Sequence, residues 1–363
     1  MIKRVLTQNR TLTWIASSSI EQDILRDGII THIDVVVELT PSATLAAANQ
    51  PDGPFRVIDN FSIKGGAATY FTLPAEQGGR LWHYMERERF KHLGHGSGGI
   101  TAPNLTQQPI MFRIHPGSRP MNPDGSINYF DLTAFIPAIE ESSLKALWLT
   151  TANSVMDDTV TLSSAVMKLT IYMIQGTPEE ILQEMLKQKV PVNPATGRPV
   201  LMVPAPSAEV FPTTAAKSDF SEERDLPAGC MLRSIGILTQ DATATRPLRA
   251  SDEVTAIAIK MPSIGSKLVE VDFEALWLAQ QHGTYLTADD AVSAGAVHVA
   301  NGVALIDLKK HGITDLGREY GINMINARNG DWKLGMTIST YAAGDDVLLW
   351  YDRLIPYSGS YLK

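Results

Sequence analysis

Three histidines in the first half of the chain are the first candidates for metal chemistry. His92, His95 and His115 could supply imidazole ligands, and the spacing from His92 to His95 is one that metal sites use. The His-x-His pair that opens many iron and manganese sites occurs nowhere among the eight histidines. We therefore interpret these histidines as residues of a loop edge or an interface rather than as metal ligands.

Two pairs of aspartates precede the last strand predicted in each half of the chain. Asp157-Asp158 and Asp345-Asp346 could bind calcium or act as acid and base. Aspartate is also common where a turn ends, because its carboxylate accepts hydrogen bonds from nearby backbone amides. The turn interpretation is the one we favour.

The glycine-rich segment Gly94-His95-Gly96-Ser97-Gly98-Gly99 contains the pattern G-x-G-x-x-G. A dinucleotide site needs these glycines between a strand and a helix, whereas here a predicted helix precedes them and a loop follows. A hydrolase nucleophile at Ser97 would need glycine two residues earlier, where His95 stands. The segment is predicted to be a surface loop.

Composition excludes several classes of protein. The 363 residues suffice for two domains, and 31 basic against 39 acidic residues give a formal charge of -8, which does not favour nucleic acid as a partner. The single cysteine, Cys230, allows neither an intrachain disulfide nor a cysteine-based zinc site. Neither a secretory signal nor a membrane span is indicated, and we expect no cofactor.

Short apolar or alternating runs rich in valine, isoleucine and threonine predict a mainly β protein. The predicted strands are 29–39, 55–64, 110–114, 127–135, 159–174, 231–238, 254–260, 303–308, 333–340 and 347–354. Thr177-Pro178-Glu179-Glu180 predicts a helix of three turns, since it combines a capping box with proline at the first helical position. Weaker helical patterns cover 75–93, 272–281 and 288–294.

Proline distribution predicts the domain boundary. Residues 191–227 hold seven of the 21 prolines, which disfavour both helix interiors and central strands. We therefore predict a first domain at 1–176, a linker helix and proline-rich connection at 177–227, and a second domain at 228–363.

Collinear sequence matches indicate that the two domains are duplicates. The pairs are Gly28–Thr40 with Gly229–Thr239, Ile63-Lys64 with Ile259-Lys260, Leu81-Trp82 with Leu276-Trp277, and Phe130-Asp131-Leu132 with Ile306-Asp307-Leu308. Trp82 and Trp277 are predicted to be core anchors, because each would bury a large area. Two similar β domains of this size fit eight-stranded sandwiches with long loops.

This organisation resembles the double jelly-roll major capsid proteins of tailless icosahedral viruses. The resemblance rests on residues 29–39, 54–64, 68–74 and 159–176 in the first half and on 229–239, 254–261 and 331–351 in the second. It implies an all-β fold of two tandem eight-stranded jelly rolls with a few short helices. It also implies a structural protein of the virion shell without catalytic residues, made in the host cytoplasm.

The resemblance further implies a set of partners. Three copies would form a pseudo-hexagonal trimer that packs against neighbouring capsomers and minor or vertex proteins. Residues 91–104 and 283–300 would be outward or inter-subunit loops. The basic residues Lys3, Arg4 and Arg10 would face the inner side, towards an internal lipid membrane or the genome, without specific nucleic-acid binding.

Two other functions stay open. A two-domain jelly-roll protein could bind or hydrolyse carbohydrate, or hydrolyse amides, and Asp131, Asp157 and Asp307 would then be the candidate carboxylates. A self-associating phage tail or spike protein would form tubes or fibres instead of closed shells.

Overall fold

The computed structural model describes most of the chain. The described residues are 4–42, 57–66, 68–74, 78–79, 81–82, 108–152, 161–212, 217–241, 248–249, 254–273, 275–276, 302–312, 314–341 and 345–362. The expected outer loops at 91–104 and 283–300 and the predicted helix at 288–294 lie outside them, as do Trp277 and most of 75–93 and 272–281.

The first half of the chain forms one antiparallel sandwich, here called the first unit. Its strands are β1 (Arg4–Thr13), β2 (Ser19–Asp23), β3 (Ile29–Pro41), β4 (Phe61–Gly65), β5 (Thr69–Thr72), β6 (Gln108–Ile114), β7 (Leu144–Leu149) and β8 (Leu162–Gln175). They form two four-stranded sheets with the orders β1-β8-β3-β6 and β2-β7-β4-β5.

The second half repeats this arrangement as the second unit. Its strands are β9 (Met202–Pro204), β10 (Ser207–Pro212), β11 (Lys217–Asp225), β12 (Met231–Asp241), β13 (Leu248–Arg249), β14 (Val254–Met261), β15 (Ser266–Asp272), β16 (Val303–Asp307), β17 (Ile322–Asn323), β18 (Lys333–Tyr341) and β19 (Asp346–Pro356). The orders β10-β19-β12-β16 and β11-β18-β14-β15 correspond strand for strand to those of the first unit. The predicted fold class, two eight-stranded jelly rolls, is confirmed.

Shared irregularities add to the evidence for duplication. The register shifts between Ile30 and His32 in β3, and between Leu232 and Ser234 at the same place in β12. It also shifts after Ile63 in β4 and after Ile259 in β14, at the two Ile-Lys pairs that match in sequence. Because a bulge is a specific local feature, two at equivalent positions support a common origin for the units.

One sequence match does not correspond in structure. Ile306 and Asp307 end strand β16, but Phe130 and Asp131 lie in the connection between β6 and β7. The predicted strand at 127–135 is therefore wrong, because the amides of Phe130 and Thr133 donate to the side chains of Asn128 and Asp131 instead of joining a continuous ladder.

The proline-rich connection is shorter than predicted. Residues 207–212 and 217–225, assigned to the linker from the sequence, form β10 and β11, which pair with β19 and β18 of the second unit. Pro204 and Pro212 each end a strand, and β10 and β11 lie at sheet edges, where a missing backbone donor is tolerated.

Two helices lie among the described residues, α1 (Pro178–Lys187) and α2 (Asp315–Tyr320). The predicted capping box of α1 is present: the Glu180 amide donates to Thr177 Oγ1 at 3.3 Å, and the Thr177 amide donates to Glu180 Oε2 at 2.9 Å. Ile181 and Met185 are buried in the core of the first unit. Neither described helix is long and apolar enough to cross a membrane.

The sheet that contains β12 and β19 is buried on both faces. Ile235, Ile237 and Leu349 point into the core of the second unit. Leu348 and Trp350, on the opposite face, belong to the core of the first unit. The uninterrupted apolar run Val347-Leu348-Leu349-Trp350-Tyr351 is therefore typical of a strand that is covered on both sides.

The end of the chain folds back onto the first unit as a C-terminal latch, residues 357–362. The carboxylate of Glu140 accepts hydrogen bonds from the Ser360 amide at 2.5 Å, the Tyr361 amide at 2.6 Å and the Tyr357 hydroxyl. Leu362 is buried in the core of the first unit. The latch therefore joins the last residues of the second unit to the first.

We predict that Glu140→Gln weakens the latch and lowers the free energy of unfolding by about 1 kcal/mol, since it removes charge-assisted hydrogen bonds. Burial raises the pKa of Glu140, but the hydrogen bonds from Tyr357, Tyr361 and Ser360 outweigh it, so the pKa lies below the usual 4.5. Above pH 4.5 the ionised Glu140 carboxylate makes its full contribution to the free energy of unfolding. This contribution is lost as the pH falls through the folded-state pKa of Glu140.

Thermal unfolding of wild type and variant between pH 3 and 7 tests this. Glu184→Gln, which breaks a surface pair with Lys187 on α1, is the matched control and should change little. If the wild type keeps its advantage over Glu140→Gln at the acid end of the range, the latch does not act through its carboxylate.

Candidate functional site

The connection after β6 carries many of the polar contacts between the two units. We call residues 115–133 the junction loop. Its centre is Asp131, which is completely buried and accepts hydrogen bonds from the Arg119 amide at 2.6 Å, the Thr133 amide at 2.9 Å and the Thr133 hydroxyl at 2.8 Å. These bonds fold the loop into a compact shape that presents its carbonyl groups to the second unit.

Arg233 crosses from the second unit to this loop. It occupies the bulge of β12, and its Nη1 donates to the carbonyl oxygens of Pro116 at 2.6 Å and Gly117 at 2.7 Å. Its Nη2 donates to Asp352 Oδ1 at 2.7 Å, and both side chains are about 95% buried. Sequence reasoning missed this residue, although an arginine inside the apolar run Met231-Leu232-Arg233-Ser234-Ile235 was a usable signal.

Arg119 connects the junction loop to two further segments. Its guanidinium bonds to both carboxylate oxygens of Glu319 on α2 at 2.7 to 3.1 Å, and to the carbonyl groups of Gln188 and Lys189 after α1. The Tyr320 hydroxyl, also on α2, donates to the Thr133 carbonyl oxygen at 2.7 Å. The junction loop therefore contacts β12 and α2 of the second unit, and also the two residues that follow α1.

Aromatic packing completes the contact between the units. The indole Nε1 of Trp350 donates to the carbonyl oxygen of Thr72 at 2.9 Å, and its ring meets that of Trp82 with centroids 5.0 Å apart. Both rings are 3% exposed. Trp82 is thus a buried anchor at the interface, while its predicted counterpart Trp277 lies outside the described residues.

His115 begins the junction loop and is buried. Its Nδ1 lies 3.1 Å from the Gly117 carbonyl oxygen and its Nε2 3.1 Å from that of Asn128. Burial lowers the pKa of His115 to about 4, and the nearby His32 adds to the shift while Asp131 opposes it. The prediction that His115 lies at an interface agrees with this position. His92 and His95 lie outside the described residues.

A second buried polar group lies beside His115 on β3 and β6. His32 Nε2 is 2.9 Å from Asp34 Oδ1, and Arg113 Nε is 3.2 Å from the same oxygen. These three residues were not singled out from the sequence. They pair internally, which is how buried charges are usually stabilised.

An open cleft of about 670 Å³ lies between the junction loop and strands β15 and β16. Its carboxylates already have partners: Asp352 accepts from Arg233, Glu270 from Lys267 at 2.5 Å, and Asp307 from the Lys309 amide at 3.1 Å. Of these three carboxylates, only Asp352 takes part in the contact between the units.

The carboxylates predicted for a hydrolase have structural positions where they are described. Asp131 organises the junction loop, Asp307 caps the turn after β16, and Asp157 lies outside the described residues, as does Asp158. Asp346 is the first residue of β19 and pairs with Gln240 of β12. Within the described parts of the chain, no three histidine, cysteine, aspartate or glutamate side chains group as metal ligands would.

The basic residues near the N-terminus lie on or next to an edge strand. Arg4 begins β1 and Lys3 lies just outside the described residues. Arg10 is further along β1, and its guanidinium donates to the carbonyl oxygens of Asp23 at 2.7 Å and Asn9 at 3.1 Å. Arg10 is therefore partly engaged within its own unit.

We predict that Arg233→Met lowers the free energy of unfolding by about 3–5 kcal/mol, because Asp352 is left buried without its cation. The double variant Arg233→Met/Asp352→Leu should recover most of this loss, since it removes both charges. Urea denaturation followed by tryptophan fluorescence measures both values.

Lys145→Met is the control, because it breaks an exposed pair with Glu21 and should leave the urea midpoint close to that of the wild type. Equal losses in the single and double variants would show that the contacts of Arg233 with the Pro116 and Gly117 carbonyl groups matter more than its charge pair.

Comparisons with known proteins find similarity in structure but not in sequence. No protein-family model matches the chain, and no curated protein does. The crystal structure of the STIV MCP is 15% identical with a TM-score of 0.67, and the match covers 97% of both chains. A second structure, from the atomic structure of Sulfolobus turreted icosahedral virus, is 16% identical with a TM-score of 0.65 over 97% of this chain and 91% of the other.

A more distant match is the PBCV-1 virus capsid, which is 9% identical with a TM-score of 0.52 over 97% of this chain and 95% of the other. At such low identities the likeness concerns the fold. It extends over both units and their connection. The chain therefore has the double jelly-roll fold found in viral major capsid proteins.

Proposed function

We propose that this chain is a major capsid protein that builds the shell of an icosahedral virion. The observation that carries the proposal is the occurrence of the same eight-stranded topology twice in one chain, with both units matched over 97% of the length of the STIV MCP. The protein would act by assembly, without catalysis, and would be made in the host cytoplasm before it enters the capsid.

Duplication supports a trimeric capsomer. Three copies of a chain with two similar units present six similar units around one axis, which suits a hexagonal lattice. The lattice requires the two units to keep one relative orientation. The shared core and the buried Arg233–Asp352 pair provide this rigidity within each chain.

The strand connectivity supports one orientation of the subunit in the shell, with one end of the sandwich facing outward and the other inward. The predicted outer loops, 91–104 and 283–300, lie between β5 and β6 and between β15 and β16, which are equivalent strands of the two units. β6 begins opposite the end of β3, whereas β1 begins opposite the end of β8, at the other end of the sandwich. Lys3 and Arg4 would therefore face the interior of the particle when these loops face outward.

The partners would be further copies of the chain, neighbouring capsomers, and minor or vertex proteins. An internal lipid membrane is the partner that we propose for the basic start of β1. The charge of -8 gives no support to specific nucleic-acid binding.

We predict a native mass near 119 kDa, three times 39.6 kDa, with hexagonal outlines in negative stain. Light scattering on the purified chain, followed by imaging of the same peak, measures both. A stable monomer near 40 kDa at high concentration would contradict the capsid proposal. It would favour the alternative, a two-domain carbohydrate-binding or hydrolytic protein, which a carbohydrate screen and turnover assays would then test.

We predict that Lys3→Gln/Arg4→Gln weakens binding to vesicles that contain anionic lipid about 10-fold or more, because each basic residue near such a surface contributes about 1 kcal/mol. Flotation with anionic and neutral vesicles measures the effect. Lys168→Gln, an exposed residue in the middle of β8, is the control and should bind like wild type. Equal binding of anionic vesicles by the double variant and the wild type would contradict the proposal that Lys3 and Arg4 contact the membrane.

A further inference from the structure

Strand β1 is a long, regular edge strand whose exposed odd-numbered side chains from Val5 to Thr13 carry no charge. Its ten residues pair with β8 in unbroken register, and no proline or bulge interrupts them. Other edges of the described sheets are short, charged or interrupted: β5 has four residues, β11 carries several charges, and β15 has a register shift. A long regular edge is a template for pairing with another strand.

One hydrogen bond shows which residues of β1 direct their backbone amide and carbonyl groups away from β8. The Trp14 amide donates to the carbonyl oxygen of Ala165, so Trp14 and Ala165 form a hydrogen-bonded pair in line with the register of β1 and β8. Such pairs alternate along an antiparallel ladder. The amide and carbonyl groups of even-numbered residues therefore face β8, and those of the odd-numbered residues 5–13 face the open edge.

The odd-numbered residues form a self-complementary row. Val5, Thr7, Asn9, Thr11 and Thr13 are all exposed, and none is charged. A twofold axis at Asn9 would place Thr7 opposite Thr11 and Val5 opposite Thr13. Threonine pairs and β-branched pairs are favourable across strands, and no like charges oppose each other on this face.

We propose that β1 pairs antiparallel with β1 of a second copy of this chain, around a twofold axis at Asn9. Each of the five opposed pairs exchanges two backbone hydrogen bonds, because all five consist of outward-facing residues. The two four-stranded sheets that contain β1 then join into one continuous sheet. The contact is a twofold one, so it links two capsomers rather than closing a trimer.

The other face of β1 is compatible with this register. Leu6 lies opposite Leu12 and Gln8 opposite Arg10, so apolar meets apolar and the arginine meets a neutral side chain. The Asn9 carbonyl oxygen already accepts from Arg10 Nη1 at 3.1 Å, but a carbonyl oxygen has a second lone pair for the partner strand.

A disulfide at the twofold axis tests the pairing. Opposed residues of a hydrogen-bonded pair have Cα atoms about 5.5 Å apart, within the range that a disulfide spans. The variant Asn9→Cys, concentrated and exposed to oxygen with a copper catalyst, should form an intermolecular disulfide as two thiols are oxidised and oxygen is reduced to water. The product should migrate near 79 kDa, twice 39.6 kDa, on a non-reducing gel. The native cysteine, Cys230, is buried.

Thr7→Cys is the matched control. In the proposed register, position 7 of one chain and position 7 of the other are offset by four residues along the strands, so their Cα atoms are about 14 Å apart. Thr7→Cys should therefore cross-link at least 10-fold less than Asn9→Cys. Comparable cross-linking at both positions, or none at position 9, would overturn the proposal.

A second comparison tests whether backbone bonds hold the contact. In the Asn9→Cys background, Thr7→Pro/Thr11→Pro removes two outward-facing amides without touching the bonds to β8, and should reduce cross-linking at least fivefold. Thr7→Ala/Thr11→Ala keeps these amides and should leave it unchanged. Equal cross-linking in the two variants would also overturn the proposal.

The proposed function is judged separately by the native mass. Trimers that form without the cross-link at position 9 would leave the capsid proposal standing and reject the β1 contact. A cross-linked dimer of an otherwise monomeric chain would support the contact and count against the capsid.

Discussion

Burial of the β12–β19 sheet on both faces is the constraint on which the architecture depends. An ordinary sandwich sheet has one apolar face, and its outer face meets water. Here the outer face carries Leu348 and Trp350, which complete the core of the first unit. The two units therefore cannot separate without exposing a large apolar surface, whose transfer to water costs roughly 25 cal/mol for each Å². The chain behaves as one body with two sandwiches rather than as two domains on a tether.

Polar contacts determine how the two sandwiches meet. Apolar packing is not directional, so it does not by itself select one orientation. Arg233 and Arg119 each require particular carbonyl and carboxylate groups at hydrogen-bond distance, and the junction loop presents them only because Asp131 folds it. A buried ion pair adds little net stability, but a misplaced one is costly, so this network disfavours alternative arrangements.

The two units share topology and bulges yet differ in surface chemistry. At equivalent positions of the outer sheet face, Lys168 and Thr170 of the first unit correspond to Leu348 and Trp350 of the second. The polar pair suits a face open to solvent, and the apolar pair suits a face covered by the neighbouring unit.

Local patterns in the sequence were enough to predict the fold class, most of the long strands other than β1 and β11, α1 and the resemblance to double jelly-roll proteins. Alternation of apolar residues and the capping box at Thr177 depend on near neighbours, so they can be read without the fold. The matched Ile-Lys pairs were evidence for duplication, and only the structure shows that a register shift lies at each of them. Strands β10 and β11 were missed because edge strands tolerate the prolines and charges that look like a linker. The strand expected at 127–135 was wrong because the Phe130 and Thr133 amides donate to the side chains of Asn128 and Asp131 rather than to a continuous ladder. The roles of Arg233, Arg119 and Glu140 were decided only by tertiary structure, since each binds groups far away in the chain, and no local pattern encodes which distant carbonyl or amide will face a buried charge.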